Sequence, residues 1–297
     1  MNLIEQTADK FEHSYREDVQ GVQWYFGSRT HDFYLYGIDS LIDKVKDCDF
    51  IEIKHVQEGT LVKRGEAAVT VTITDHSRIA YGNMIETLLY NELWYSSTVG
   101  TILHRCLDVL HENGYDARSA YPQIGRASST PEQSAKARDV FARIFYQSSN
   151  EKIPVAMHSD ILINGEEYCM EHYNGIMIDT FDKQACIDLI NKKDFRGTVM
   201  VDSQPIIETI ERVLAETKCF VAQAESVTLD EWIEIVRHFK GNKRIFYGIG
   251  SFAFSNISRD TFGLIYKVCA VKKNDNWIGV SKMTTGKQTS AGYKVIG

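Results

Sequence analysis

The sequence predicts an α/β fold, an irregular α/β barrel preceded by an amino-terminal α+β domain, and three observations carry that reading. From Phe50 to Thr74 apolar and polar residues alternate at period two, with Gly59 and Gly65 as turns, which is the pattern of short antiparallel strands. From Ser77 to Leu110 the period changes: Ile79, Met84, Ile85, Leu88, Leu89, Leu93, Trp94, Ile102, Leu103, Cys106, Leu107 and Leu110 recur at helical spacing. Beyond Thr130, short apolar runs alternate with amphipathic stretches, as strands and crossover helices do in a parallel sheet.

Each element follows from local chemistry. Gly100 is expected to separate two helices in the first helical stretch, and Gly114 to stop the second. Thr130 followed by Pro131 and Glu132 is an N-cap with proline in the first turn, opening a helix to about Tyr146. Strands are predicted at 153–157, 175–179, 197–202, 218–223 and 244–250. Helices are predicted between them at 182–190, 205–216 and 228–239, the last with Thr228 and Glu231 spaced as a capping box.

With 43% hydrophobic residues and a net charge of −7 over 297 residues, the chain has the composition of a globular protein with a sizeable core. A single core stops growing at roughly 250–300 residues, so two closely joined domains are expected. The opening segment carries no apolar h-region, and no run of about 18 apolar residues occurs. A cytoplasmic protein without membrane insertion is therefore expected. The acidic balance disfavours a broad nucleic-acid surface, which needs a basic patch. Cys48, Cys106, Cys169, Cys186, Cys219 and Cys269 are scattered without a C-x-x-C pair, which favours buried free thiols over metal ligands or disulfides, and no metal-ligand set is read.

Polar residues at the predicted strand ends are the candidate functional set: His158 and Ser159, Asp179 and Asp182, Asp202 and Ser203, Glu225, then Gly248 and Gly250. A lone carboxylate at a strand end more often caps a helix, and a lone histidine is more often structural. Five successive strands ending in this way favour a shared mouth. Glycines there admit backbone N–H groups to a phosphate, and carboxylates bind ribose hydroxyls or Mg2+. A generic phosphate-binding barrel would present much the same pattern.

At these residues the sequence resembles the nicotinamide and nicotinate phosphoribosyltransferases over most of its length. The amino-terminal likeness lies in IEIKHVQEGTLVKRGE and NMIETLLYNELWYSSTVGT, similar to the β-sandwich of that family and the helix leading into its barrel. The carboxy-terminal likeness lies in SRDTFGLIYKV and VSKMTTGKQTSAGYKV. The resemblance implies a β-sandwich-like α+β domain with linking helices over 1–110. It implies a barrel-like phosphoribosyl-binding domain over 111–297, whose end returns to the first.

Carried over residue by residue, the resemblance makes His158 the histidine phosphorylated when ATP hydrolysis is coupled to transfer. It places Asp202 near pyridine and ribose, Asp179 and Asp182 in the acidic motif after the preceding strand, and Glu225 at a further acidic position. Gly248 and Gly250 correspond to the loop for the 5′-phosphate, and Arg126 to the base-site arginine. Arg29, Arg259, Lys267 and Lys282 correspond to cations facing pyrophosphate, partly across a homodimer interface. Lysine and arginine more commonly lie solvated at the surface, but their joint presence in an acidic protein favours an anion site. The implied co-substrate is Mg2+ with phosphoribosyl pyrophosphate, and ATP enters through His158.

The chain departs from the family pattern in several places. Met200 and Val201 stand where an arginine precedes the family aspartate, Ala224 replaces a glycine, and the aromatic residue that stacks on pyridine in that family has no assigned counterpart near Gln123. The chain is also shorter than typical relatives. At 147–150 the residues Gln147, Ser148, Ser149 and Asn150 occupy the stretch where the family sorts nicotinamide from nicotinate, and Ser149 is the candidate contact. The SSN triplet at 148–150 resembles the nicotinate enzymes, whereas the longer stretches look closer to the nicotinamide enzymes. The leading expectation is a pyridine phosphoribosyltransferase of NAD salvage acting on nicotinamide or nicotinate. The alternatives are a catalytically weak nucleotide-binding or regulatory relative and the same transfer to another heteroaromatic base.

Overall fold

The computed structural model describes residues 14–124, 130–146, 154–258, 260–281, 283–284 and 287–288. The chain divides into two compact units, one made of residues 1–101 and 257–297 and the other of residues 102–256.

The first unit is built on an antiparallel sheet in the order Asn276–Gly279, Leu264–Lys273, Gly21–Ser28, Ala67–Ile73 and Glu52–His55. Ala67–Ile73 is buried along its whole length, so its alternating Val and Thr residues pack on both faces. Trp24, Phe26, Val69, Val71 and Tyr266 join Ile79, Ile85, Leu88, Leu89 and Leu93 in one core. Tyr25, Ala67, Ile265 and Cys269 form a smaller cluster. The strand Gly21–Ser28 escapes an alternation test because Trp24, Tyr25 and Phe26 are all buried, so both faces of the strand are apolar.

Gly100 does not break a helix. The segment Tyr95–Glu112 is one continuous α-helix, preceded by a π-helical turn at Tyr90–Trp94. A Cβ at residue 100 would lie 2.3 Å from the Tyr36 ring, so the glycine serves a close packing contact. Gly82 plays the same part against Trp24, whose ring would lie 2.1 Å from an added Cβ. Gly114 follows the helix end with φ of 80°, a conformation that favours glycine.

The second unit carries a six-stranded, all-parallel sheet. Its order is Ala120–Pro122, Ile245–Ile249, Phe220–Gln223, Thr198–Val201, Gly175–Met177 and Val155–Ala156. From Val155 onward the chain advances one strand at a time, and the first strand of the unit, Ala120–Pro122, pairs with the last. First-to-last pairing is barrel connectivity, and the sheet curls into half a barrel. No pairing joins Ala120–Pro122 to Val155–Ala156 among the described residues, so the barrel is open there.

Helices between these strands begin where capping chemistry dictates. Thr130 accepts a hydrogen bond from Gln133 N at 3.1 Å at the start of Pro131–Phe145. Thr228 and Glu231 form a reciprocal capping box at the start of Leu229–His238, with Thr228 N donating to Glu231 Oε2 at 2.7 Å. Asp160, the third residue of helix His158–Asn164, accepts from Met157 N at 2.9 Å. Each cap satisfies N–H groups that the first turn leaves open.

All six cysteines are free and buried. Burial pushes the thiols of Cys106, Cys169, Cys186 and Cys219 up, and that of Cys269 up to about 11. Among the described residues no helix is long and apolar enough to cross a membrane.

Candidate functional site

Because the six strands of the second unit run parallel, their carboxyl ends share one side of the sheet. There a cavity of about 680 Å3 is lined by Tyr121, Gln123, Met157, Met177, Met200, Asp202, Ala224, Glu225, Ser226, Gly250, Ser251 and Ser255. That volume suits a small organic ligand. The charged groups among these lining residues are two carboxylates, Asp202 and Glu225.

His158, Asp179 and Asp202 come together although they arise from three different strand ends. His158 Nε2 lies 3.8 Å from Asp179 Oδ1 and 3.7 Å from Asp202 Oδ2. Its Nδ1 is 2.8 Å from the Thr180 hydroxyl, which fixes the ring plane. Asp179 Oδ1 is buried and accepts no hydrogen bond. A buried carboxylate oxygen without a donor is costly, and an imidazolium, a ribose hydroxyl or a cation would satisfy it. The Asp179 side chain is 9% exposed against 30% for Asp202, so a ligand meets Asp202 first.

Tyr121 and Gln123 complete the wall from the edge strand. The Tyr121 hydroxyl donates to the Gln223 carbonyl at 2.7 Å. The Gln123 amide donates to the Ala224 carbonyl at 2.9 Å and reaches the Tyr121 oxygen at 3.4 Å. Burial, and then the negative charge of Asp202, push the Tyr121 phenol well above its ordinary range. Ser226 and Ser251 share a 2.5 Å hydroxyl contact at the adjoining strand ends.

The remaining candidates divide. Glu225 and Gly250 line the cavity. Gly248 serves packing, since a Cβ there would fall 2.5 Å from Gln123 Oε1 and 2.6 Å from the Gln223 carbonyl. The Asp182 carboxylate caps helix Lys183–Lys192, accepting from Ala185 N at 2.8 Å. Arg29 and Lys267 belong to the first unit, where Lys267 Nζ lies 3.9 Å from Glu86 Oε1. Arg126, Ser149, Arg259 and Lys282 lie outside the described residues.

Sequence reasoning missed Tyr121, Met157 and Met177. Tyr121 sits on a three-residue strand ending in proline, too short to show a period. The methionines carried a usable signal: Met177 and Met200 each stand two residues before a strand-end aspartate, as Met-Ile-Asp and Met-Val-Asp. In register they pair side by side on neighbouring strands.

Comparison with known proteins decides the family, because the model of the nicotinate phosphoribosyltransferase (NAPRTase) family matches residues 114–295. The chain belongs to that family. A shorter stretch of 54 residues is 43% identical to a nicotinamide phosphoribosyltransferase of Mycoplasma genitalium, covering 18% of this chain and 12% of that protein. The matched stretch thus spans about one eighth of that relative's length. Among solved structures, nicotinate-nucleotide pyrophosphorylase from Pyrococcus furiosus superimposes with a TM-score of 0.65 at 14% identity, over 88% of this chain and 72% of that one. Human nicotinic acid phosphoribosyltransferase gives 0.56 at 11% identity, over 89% and 74%. At such low identity these likenesses establish the shared fold, the mixed α/β architecture expected from the sequence.

Proposed function

We propose that this member of the family is a pentosyltransferase of NAD salvage. It joins a pyridine base, nicotinamide in preference to nicotinate, to phosphoribosyl pyrophosphate, giving the pyridine mononucleotide and pyrophosphate. The observation that carries this reading is the convergence of His158, Asp179 and Asp202 from three strand ends beside an open cavity. In the transfer, the lone pair of the pyridine nitrogen forms the bond to the ribose anomeric carbon. The bond from that carbon to pyrophosphate oxygen breaks, and its electrons leave with pyrophosphate.

The sugar gains positive charge as that bond stretches, and the carboxylates of Asp202 and Asp179 are placed to stabilise it and to hold ribose hydroxyls. The preference for nicotinamide rests on charge: a cavity wall bearing Asp202 and Glu225 repels a carboxylated pyridine and tolerates a neutral carboxamide. Mg2+ enters with the substrate, where it offsets charge on the pyrophosphate oxygens. It commonly binds through one or two carboxylates plus substrate phosphates. The orphaned Asp179 oxygen fits such a role, and no preformed group of three acidic, histidine or cysteine ligands occurs among the described residues.

His158 is the proposed acceptor of a phosphoryl group from ATP. With Nδ1 engaged by Thr180, its Nε2 is the reactive atom. The protein is further proposed to act in the cytoplasm as a homodimer in which Arg29, Arg259, Lys267 and Lys282 face pyrophosphate. A second reading, a nucleotide-binding regulatory relative, is favoured by Met200, which lines the cavity where the sequence resemblance calls for an arginine. Incubation with phosphoribosyl pyrophosphate, Mg2+ and a panel of pyridine bases, with products read by mass, separates the two. A mononucleotide product supports the enzyme, and binding without product supports the regulatory relative.

A further inference from the structure

Seven methionines and six cysteines supply the sulfur of this chain, and the fold treats the two kinds differently. All six cysteines are buried, and burial pushes the thiols of Cys106, Cys186 and Cys219 up. Peroxides attack the thiolate form of cysteine, so these sulfurs are guarded by position and by protonation together. Met157, Met177 and Met200 instead place thioethers on the cavity wall. Met157 is 47% exposed, whereas Met170 and Met177 are buried and Met84 and Met200 are partly buried. Among the described methionine side chains, Met157 is therefore the one that solvent reaches most.

We propose that Met157 is an oxidation site: a peroxide converts its thioether to a sulfoxide on the cavity wall, and ligand binding is weakened until a reductase removes the oxygen. A sulfur lone pair forms the bond to one peroxide oxygen, and the O–O bond breaks. The departing hydroxide takes the proton left on the transferred oxygen, giving water. Sulfur loses two electrons and the peroxide gains them. Two features make the change felt at this position. Met157 N donates to Asp160 Oδ2 at 2.9 Å, which pins the residue at the start of helix His158–Asn164 and keeps the oxidised side chain at the cavity. The charged groups on the same wall are the carboxylates of Asp202 and Glu225, so the sulfoxide oxygen adds one more acceptor where donors are needed. A polar, chiral group thus replaces a flexible apolar one. The identity of the ligand rests on the pyridine-transferase reading, and the oxidation itself is independent of it.

The test treats wild type and Met157→Leu with hydrogen peroxide and maps every methionine by peptide mass. For each protein, kcat/KM and the calorimetric Kd of nicotinamide mononucleotide are compared with its own untreated values. Wild type is expected to gain one oxygen at Met157 first and to lose roughly tenfold in both quantities, the scale of setting a polar group against an apolar ligand face. Met157→Leu keeps the apolar volume and has no sulfur to oxidise, so it is expected to stay within about twofold of its untreated values. Bound mononucleotide is expected to slow oxidation at Met157. Methionine sulfoxide reductases A and B together, one for each sulfoxide epimer, are expected to restore the treated wild type. Met157→Gln, polar and of similar length, should reproduce the loss without peroxide. If Met157→Leu does not fold, reductase rescue of wild type and Met157→Gln carry the comparison.

Equal loss in treated Met157→Leu overturns the site, as does inactivation with Met157 unmodified. Full function with Met157 oxidised overturns it too, and so does recovery with a thiol reductant alone, which would assign the effect to cysteine. A wild type that binds the mononucleotide without forming it overturns the transferase reading alone, and Met157 is then judged by the calorimetric Kd. A wild type that neither forms nor binds it also overturns that reading, and the mass map decides whether Met157 is the oxidised residue.

Discussion

Gln123 occupies the space that Gly248 leaves on the neighbouring strand: a Cβ at residue 248 would stand 2.5 Å from Gln123 Oε1 and 2.6 Å from Gln123 Cδ. The glutamine is thereby held over the sheet edge while its amide bonds the Ala224 carbonyl. Gly248→Ala is expected to displace Gln123 and Tyr121 together and lower kcat/KM by about tenfold or more, since ångström-scale misplacement in a site is costly. Gly250→Ala, whose Cβ meets only the flexible Gln123 side chain at 3.1 Å, is expected to cost less. Parallel kinetics on the two folded variants check the order, and the reverse ranking would refute the packing role of Gly248.

Asp202→Ala is expected to lower turnover by roughly 10²- to 10³-fold, the scale of removing one electrostatic contact from a transition state. Its carboxylate is partly exposed, so the melting temperature should change little. A folded variant with near-normal turnover would remove Asp202 from the reaction.

If His158 accepts phosphate, ATP raises wild-type turnover or shifts the equilibrium toward mononucleotide. His158→Ala should abolish that effect and keep basal transfer. Radiolabelled ATP followed by acid and base treatment identifies phosphohistidine. A wild type indifferent to ATP, with no labelled histidine, would leave His158 as a structural partner of Thr180.

Met200→Arg places a cation on the wall that now carries Asp202 and Glu225. The ratio of kcat/KM for nicotinate over nicotinamide is expected to rise severalfold, because the anionic base gains a partner and loses part of the repulsion. Competition assays with both bases measure it, and an unchanged ratio would mean that residue 200 does not approach the base carboxylate.

Gly100→Ala sets helix propensity against packing. The substitution gains about 1 kcal/mol in a helix interior, but the added Cβ meets the Tyr36 ring at 2.3 Å, and overpacking costs about 1–3 kcal/mol. A net fall of roughly 2–6 °C in melting temperature is expected. Thermal denaturation checks it, and a rise would show that Tyr36 moves aside freely.

The contrast at Gly100 shows what sequence could and could not reveal. Low helix propensity is a local property, so from sequence the glycine reads as a break. The contact with Tyr36 joins residues far apart in the chain and has no local signature. Thr130 and Thr228 were legible because a cap is set within three residues. His158, Asp179 and Asp202 were legible because parallel connectivity brings all strand ends to one side. Tyr121 and Gln123 were hidden for the opposite reason: their partners Gln223 and Ala224 lie about one hundred residues away. Asp182 carried two compatible signals, strand end and N-cap, and its hydrogen bond to Ala185 satisfies the second.

The six buried thiols give the protein a built-in reporter of its own breathing. Alkylating agents attack thiolates, and burial raises Cys106, Cys169, Cys186, Cys219 and Cys269 above their ordinary range. Labelling at neutral pH must then wait for a local opening, so the modification rate at each cysteine measures how often its surroundings part. Cys186 and Cys219 lie in the unit that carries the cavity, and Cys48 and Cys269 lie in the other. Mass-resolved labelling would rank the two units by stability without any introduced probe.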